Sequence, residues 1–426
     1  ITGASDKAKV EFYFHNEVSR VHEDPRVTLP YSEQQWTEIN TLGEKVEEVL
    51  VDNDVRLTMG GEPTFVSIDD MEGVEWNTGA LGKHKRERAG DLLFRLKQRF
   101  APGAALHFGQ GKWYPGEVLP RWALGCFWRK DNEPVWHDPK LIAHDRYQEA
   151  QDDAGAADTE EFTAVDAKHF MQALCSYLNI DDEIIQTAYE DVYYYLWKEG
   201  NLPYNVDAFD NKLEDETERA RVRRLFEKGI DEVAGYALPL KWNSLGEQAG
   251  WTSSKWAFRR GKMFLLPGDS PMGYRLPLDS LPWVEKKKQD DDPARCTFEP
   301  RPALGDVYGE VARRYASAKK APVHPEGFIE QKLDEADNEL SELIHTAICV
   351  EPRDGHLYVF LPPVTHLEHY LDLVHSIEKT AAELNMPVLM EGYEPPHDHR
   401  LKRFAVTPDP GVIEVNIHPA HSLSLI

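Results

Sequence analysis

Glu414, Asn416 and His418 stand at every second position of the segment PDPGVIEVNIHPA, with Ile413, Val415 and Ile417 between them. Side chains of a β-strand alternate between its two faces. The spacing therefore puts a carboxylate, an amide and an imidazole on one side and three branched apolar groups on the other. Such a polar set offers oxygen and nitrogen ligands to a cation; in an ordinary amphipathic strand it would only meet solvent. A further carboxylate, Glu62, follows Gly60 and Gly61 in MGGEPTF. Glycines let a ligand approach the backbone, and Pro63 limits further strand hydrogen bonding. Glu62 is thus a candidate metal ligand at a strand end, the alternative being a solvated residue of a tight turn.

The segment HFGQGKWYPGE holds Gly109, Gly111, Lys112 and Glu117. It lacks the GxxxxGK[ST] spacing of a P-loop, yet it supplies flexible backbone, a lysine able to meet phosphate and a carboxylate able to hold a cation. Arg121, Arg275 and Arg400 each follow a Pro- or Gly-containing turn, in LPRW, MGYR and PPHDHR. Guanidinium forks suit bidentate contacts with carboxylate or phosphate. Ser270 has no GxSxG elbow around it, which argues against a serine hydrolase. Two separated strands that each deliver a glutamate, with Gly-rich loops and arginines, suit ATP with divalent cations.

The elements that must position these groups follow from periodicity. Residues 1–30 read as a β-rich lead-in. Ser32 can cap a helix in which Trp36, Ile39, Leu42, Val46 and Leu50 recur at helical spacing. VRLTMGG reads as a strand, and LGKHKRERAGDLLFRLKQRFAPG as a basic helix with a solvated face, stopping before Pro102 and Gly103. Between about 150 and 235, TAVDAKHFMQALCSYLNI, DDEIIQTAYEDVYYYLWKEG and LEDETERARVRRLFEKGI read as acidic helices of an inserted, peripheral subdomain. The chain then divides into a first core part (1–149), the acidic helical part (150–236), a return to the core (237–284), a charged, mobile connection (285–340) and a last core part (341–426) that carries the cation-facing strand. Strands near both ends with helices between them indicate an α+β fold.

Composition narrows the function. With 426 residues, 41% of them hydrophobic, the chain can bury a substantial core. A formal net charge of −26 argues against nucleic acid as a partner. The four cysteines are widely spaced without a CxxC, which points to a reducing compartment such as the cytoplasm. No apolar run is long enough to span a bilayer and no signal peptide is visible, so no membrane partner is expected.

The segments LTMGGEPTFVSIDD, HFGQGKWYPGEVLPRWALGCFWR, LPGDSPMGYRLPLDSLPW, AICVEPRDGHLYVFLPP and VTPDPGVIEVNIHPA resemble a bacterial amidoligase family, over about Arg26 to Ala420. That family is related by analogy to carboxylate-amine ligases of the glutamine-synthetase and glutamate-cysteine-ligase type. The resemblance implies a curved, mainly antiparallel sheet with helices on its outer side, and ATP and magnesium on its concave face. It also implies a chain that is part of a longer protein, with a Gly-rich nucleotide-binding segment further on and a transglutaminase-like domain elsewhere. By the same resemblance Glu62, Glu414 and Asn416 are magnesium ligands; Glu117, as a carboxylate of the Gly-rich segment, is a further metal candidate. Lys112 and Arg400 contact phosphate, beside Gly109 and Gly111. Arg121 or Arg275 holds the acceptor carboxylate, and His418 is a metal ligand or a base. The family pattern PPxDPR appears here as PPHDHR, with His399 in place of proline. The expected reaction joins a peptide or small-molecule carboxylate to an amine through an acyl phosphate. The competing expectations are a non-catalytic peptide-binding module and a metal-dependent hydrolase.

Overall fold

The computed structural model describes residues 32–55, 61–111, 114–115, 120–143, 161–201, 232–243, 249–282, 296, 299–318 and 343–417. Contacts divide the chain into two units, Ile1–Gly60 with Pro419–Ile426, and Gly61–His418. The described part of the first unit is helix α1 (Glu33–Asp52) with its cap. The Ser32 hydroxyl accepts from the Gln35 amide, and the Gln35 side chain accepts from the Ser32 amide, a reciprocal capping box. The expected lead-in strand and most of VRLTMGG lie outside the described residues.

The second unit is α+β. Five strands, β1 (Thr64–Phe65), β2 (Ala105–Gln110), β3 (Trp122–Arg129), β12 (Leu401–Asp409) and β13 (Val412–Ile417), form an antiparallel sheet in the order β1-β13-β12-β3-β2. Another six are β4 (Gln186–Tyr189), β5 (Val233–Pro239), β8 (Met263–Phe264), β9 (Ala347–Arg353), β10 (His356–Leu361) and β11 (Val388–Gly392). They are ordered β11-β10-β9-β5-β4-β8, antiparallel except where β10 meets β11 and β4 meets β8. Strands β6 (Lys241–Asn243) and β7 (Gly250–Thr252) make a small separate pair.

Helices cover one side of both sheets. Helix α2 (Lys83–Phe100) packs on β3 and β12, and α3 (Ala164–Leu178) packs on β5, β9 and α6 (Leu367–Leu384). One apolar core joins Leu106, Leu124, Val406 and Ile413 of the first sheet to Leu238, Ile348, Val359 and Met390 of the second. The two sheets meet edge to edge, with β2 beside β11. There the buried His107 sends an Nε2–H to the Gly392 carbonyl at 3.1 Å. A carbonyl can only accept, so this bond fixes the tautomer.

Four expectations change. Helix α3 is no peripheral element, because Phe170, Met171 and Leu174 are fully buried in the main core. The stretch read as a second acidic helix becomes a 3-10 turn (Asp182–Ile184), then β4, then α4 (Val192–Glu199). Pairing of β4 with β5 and β8 overrides its local helical pattern. The third acidic segment lies outside the described residues. Within the stretch read as a charged connection, α5 (Val307–Ala318) packs on α6 and buries Val311. The basic face of α2 is also less solvated than its sequence suggests. Lys85 and Lys97 are buried and donate to main-chain carbonyls, Lys85 to Gly79 and Asp409 and Lys97 to Pro102. Among the described residues no helix is long and apolar enough to cross a membrane.

Helix α6 buries several polar side chains, and Asp372 is tied down by partners distant in sequence. Asp372 accepts two bonds from Arg314 of α5, at 2.8 and 3.0 Å, and one from the Trp251 indole at 2.7 Å. Asp372→Ala removes the buried carboxylate and leaves both donors unsatisfied. The expected loss is about 3 kcal/mol in urea-induced unfolding, with the isosteric Asp372→Asn losing less.

Candidate functional site

Register shows what the first sheet presents on the face turned away from α2. Thr64 and Thr407 stand opposite Glu414 from the two sides, and Ala405 stands opposite Asn416. Ala405 also stands opposite Gly125, and Gly125 opposite His107. The neighbouring row of Val415, Val406, Leu124 and Phe108 lies in the core beneath the helices. The alternation read from the sequence of β13 therefore holds, with Ile413 and Val415 inward and Glu414 and Asn416 outward. The floor between the polar groups is made of small residues. At Gly125 a Cβ would lie 2.6 Å from the Phe127 ring, so only glycine lets that ring cross the sheet toward His107.

Main-chain bonds bring Glu62 to this face. The Val415 amide donates to the Pro63 carbonyl at 2.9 Å, and the Ile417 amide to that of Gly61 at 3.4 Å. Glu62 lies between these two anchor points and is exposed. On β13 the Glu414 carboxyl is raised above its ordinary range, first by burial and then by Asp409 and Glu62; a Thr407 hydrogen bond and Arg121 act against this. Asn416 donates its Nδ2–H to Thr407 at 2.7 Å. Asp409, at the end of β12, accepts from the buried Arg121 at 2.6 Å, and Arg121 lies 4.0 Å over the Tyr114 ring. Lys85 reaches the Asp409 carbonyl at 2.9 Å, and its pKa falls to about 8 because it is buried, although Glu75 and Asp409 oppose the shift. The oxygens of Glu62, Asp409 and Glu414 do not all fall within 4.8 Å of one another, so this acidic group is open and not a closed cage.

Other residues singled out from the sequence lie elsewhere. Arg275 already has a carboxylate in its fork, since its two terminal nitrogens donate to Glu190 and its Nε to the Leu266 carbonyl. Arg400 donates to Asp398, Glu368 and the Pro302 carbonyl. It precedes β12 at the end away from Thr407, about 20 Å from it at roughly 3.3 Å per residue. Asp398 also accepts from Arg301. Burial would raise the Asp398 carboxyl, yet its bonds to Arg400 and Arg301 hold it well below the usual range. These two arginines serve the scaffold in this structure, and His399 leaves the Asp398–Arg400 pair intact. Gly109 pairs with Ala123, and the Gly111 amide donates to the Arg121 carbonyl, which puts the Gly-rich turn beside Arg121. Lys112, Glu117 and His418 lie outside the described residues.

A family model matches residues 6–426. The chain belongs to the family described as "Putative amidoligase enzyme (DUF2126)". No curated protein and no solved structure matches it.

The second sheet of this amidoligase-family chain carries a polar group that motif reading missed. Glu391, buried at the end of β11, accepts from Arg353 at 2.6 Å, and Arg353 also donates to Glu351 at 2.7 Å. The guanidinium lies 3.7 Å over the Tyr358 ring. Glu391 Oε1 has no hydrogen-bond partner among the described residues. The only sequence signal was Arg353 and Glu351 two apart on β9, which shows a shared face but not Glu391. Burial, aided by Glu351 and opposed by Arg353, pushes the Glu391 carboxyl up to about 7. The buried, free thiols of Cys126, Cys175 and Cys349 offer no comparable chemistry, with that of Cys175 pushed up to about 12 by burial.

A carboxyl whose native pKa exceeds its unfolded value binds protons more tightly when folded. The stability it contributes is present below the ordinary 4.5 and is lost as pH rises through about 7. Relative to Glu391→Gln, the wild-type chain should therefore lose up to about 3 kcal/mol between acidic and neutral pH. Paired urea melts near pH 4.5 and near pH 8 check this, and a pH-independent difference would contradict it.

Proposed function

We propose that the chain forms part of an ATP- and magnesium-dependent ligase that joins a peptide or amino-acid carboxylate to an amine. The observation that carries this reading is the crowding of Glu62, Asp409 and Glu414 on the sheet face turned away from α2, where Glu414 gains affinity for a proton. Burial raises the Glu414 carboxyl first, and the like charges of Asp409 and Glu62 add to it; the attraction they add for a proton is equally open to a divalent cation. Every donor in the group is oxygen, from three carboxylates, the Asn416 amide and the Thr407 hydroxyl, which suits a hard ion. Magnesium takes one or two protein carboxylates and completes its shell with water and phosphate oxygens, so an open acidic group fits it. Membership of an amidoligase family supports the reaction class.

In the proposed reaction a substrate carboxylate oxygen attacks the γ-phosphorus of ATP, expelling ADP and giving an acyl phosphate. The amine then attacks the acyl carbon, loses a proton and expels phosphate. Magnesium, when bound, would offset charge on the transferring phosphoryl group. Glu62, Glu414 and Asn416 would hold it. Arg121, fixed by Asp409 and Tyr114, sets a positive charge beside them and restrains their mutual repulsion. The Gly109–Gly111 turn and Lys112 are assigned to phosphate, and His418, the next residue after β13, to metal binding or proton transfer. Arg275 and Arg400 have no part in this reading, because protein acceptors already fill their forks.

Calorimetric titration of the full-length protein with a non-hydrolysable ATP analogue, with and without magnesium, tests the proposal. Binding should require magnesium and weaken about tenfold in Glu414→Gln, equivalent to about 1.4 kcal/mol. The metal-free variant should melt at or above the wild-type temperature, because a repelling charge is gone. Unchanged binding together with a large fall in melting temperature would make Glu414 a structural residue.

A further inference from the structure

Among the described residues, one set of three ligating side chains has all its donor atoms within 4.8 Å of one another, and it lies on the helix side of the sheets: His137, His375 and Glu378. His375 and Glu378 are three residues apart on α6, so they share a face. His137 comes from the segment between β3 and the 3-10 turn Pro139–Leu141. Glu378 is locked in place, its Oε1 accepting from the main-chain amides of His137 at 2.5 Å and Asp138 at 2.8 Å. Its Oε2 faces the set, 3.0 Å from His137 Nδ1 and 3.9 Å from His375 Nδ1.

The observation that points to a ligand is His375 itself. It is 1% exposed, and neither of its ring nitrogens has a hydrogen-bond partner among the described residues. A neutral imidazole carries one N–H and one lone pair, and buried polar atoms are satisfied in the great majority of cases. Burial above all, with His137, Arg129 and Lys379 nearby, lowers the His375 pKa to about 3. A metal bond to one ring nitrogen would supply the partner that this buried ring lacks. Both imidazoles are held by Tyr308, which stacks on His137 at 3.7 Å and meets His375 edge-on at 5.3 Å. The positive charge of Arg129 is offset by its two bonds to Asp131.

We propose that His137, His375 and Glu378 bind a divalent transition-metal ion of the zinc class, pinning α6 to the loop that follows β3. Two imidazoles and one carboxylate form a donor set that zinc accepts, with a fourth position left for water. Side-chain exposure of 31% at His137 opens the site to solvent and gives the ion a way in. On binding, the hydrogen bond between His137 Nδ1 and Glu378 Oε2 is replaced by a metal bond to each atom, and His137 carries its proton on Nε2. Ligands at about 2.0–2.2 Å in a tetrahedron stand roughly 3.3 Å apart, so the widest gap need close by no more than about 1.5 Å. The nitrogen donors set this site apart from the all-oxygen group around Glu414. It does not depend on the ligase reading.

Zinc titration of the chelator-treated protein, followed by calorimetry and by the visible absorption of cobalt as a stand-in, tests the proposal. One zinc should bind per site and raise the melting temperature, while magnesium should do neither. His375→Leu should lose the zinc-induced rise, yet melt without metal no lower than wild type, because an unsatisfied buried ring has been removed. Should that variant fail to fold, His137→Ala at the part-exposed position decides alone. Loss of zinc binding in the folded variant supports the site, and retained binding overturns it. A wild-type protein that binds no zinc also overturns it.

Discussion

The apolar layer under the helices takes Leu106, Leu124, Val406 and Ile413 from one sheet and Ile348, Val350, Val359 and Met390 from the other. Because strand side chains alternate, committing this face to the core turns Glu414 and Asn416 of the first sheet outward, while the opposite face of the second sheet carries a further apolar cluster that includes Ala237, Cys349 and Phe360, with Glu391 opposite Phe360. His107 and Gly392 join the sheets at their adjacent edges. The Glu414 group on one sheet and the Glu391–Arg353–Glu351 group on the other are therefore products of a single arrangement. Slipping β13 by one residue would bury Glu414 and Asn416 and expose Ile413 and Val415, so the polar face is as firmly specified as the core.

The carboxylates of this acidic chain fall into two kinds. Asp372, Asp398 and Glu391 are buried and each meets a guanidinium, from Arg314, from Arg400 and Arg301, and from Arg353. Such pairs hold elements in register, and breaking one strands a buried charge. Glu414 differs, since after burial its strongest neighbours are the carboxylates Asp409 and Glu62. That contrast, more than the number of acidic residues, sets Glu414 apart from the guanidinium-paired carboxylates.

How much was legible beforehand depended on range. The alternation of β13, the Ser32 cap and the span of α2 are local patterns, and each appears in the structure close to where the residues put it. The α+β class followed from the order of those patterns. Contacts across long separations were not legible. Lys85 and Lys97 looked like part of a solvated basic face, because nothing near them names Asp409 or Pro102 as the carbonyls they would meet. Arg275 and Arg400 had the chemistry of ligand contacts, but Glu190 and Glu368 lie far off in sequence. At β4 the local pattern misled outright. Thr187 is β-branched, and the strand character of Gln186–Tyr189 emerges only with β5 and β8 as partners.

Lys85 meets the Asp409 carbonyl across 324 residues, and β1 meets β13 from nearly opposite ends of the second unit. Closing so long a loop is slow compared with local helix formation. During synthesis Glu62 is made 352 residues before Glu414 exists to join it. The acidic group thus comes together only after nearly all of the second unit has been made. A chain cut short before β13 would hold Glu62 without its partner carboxylate.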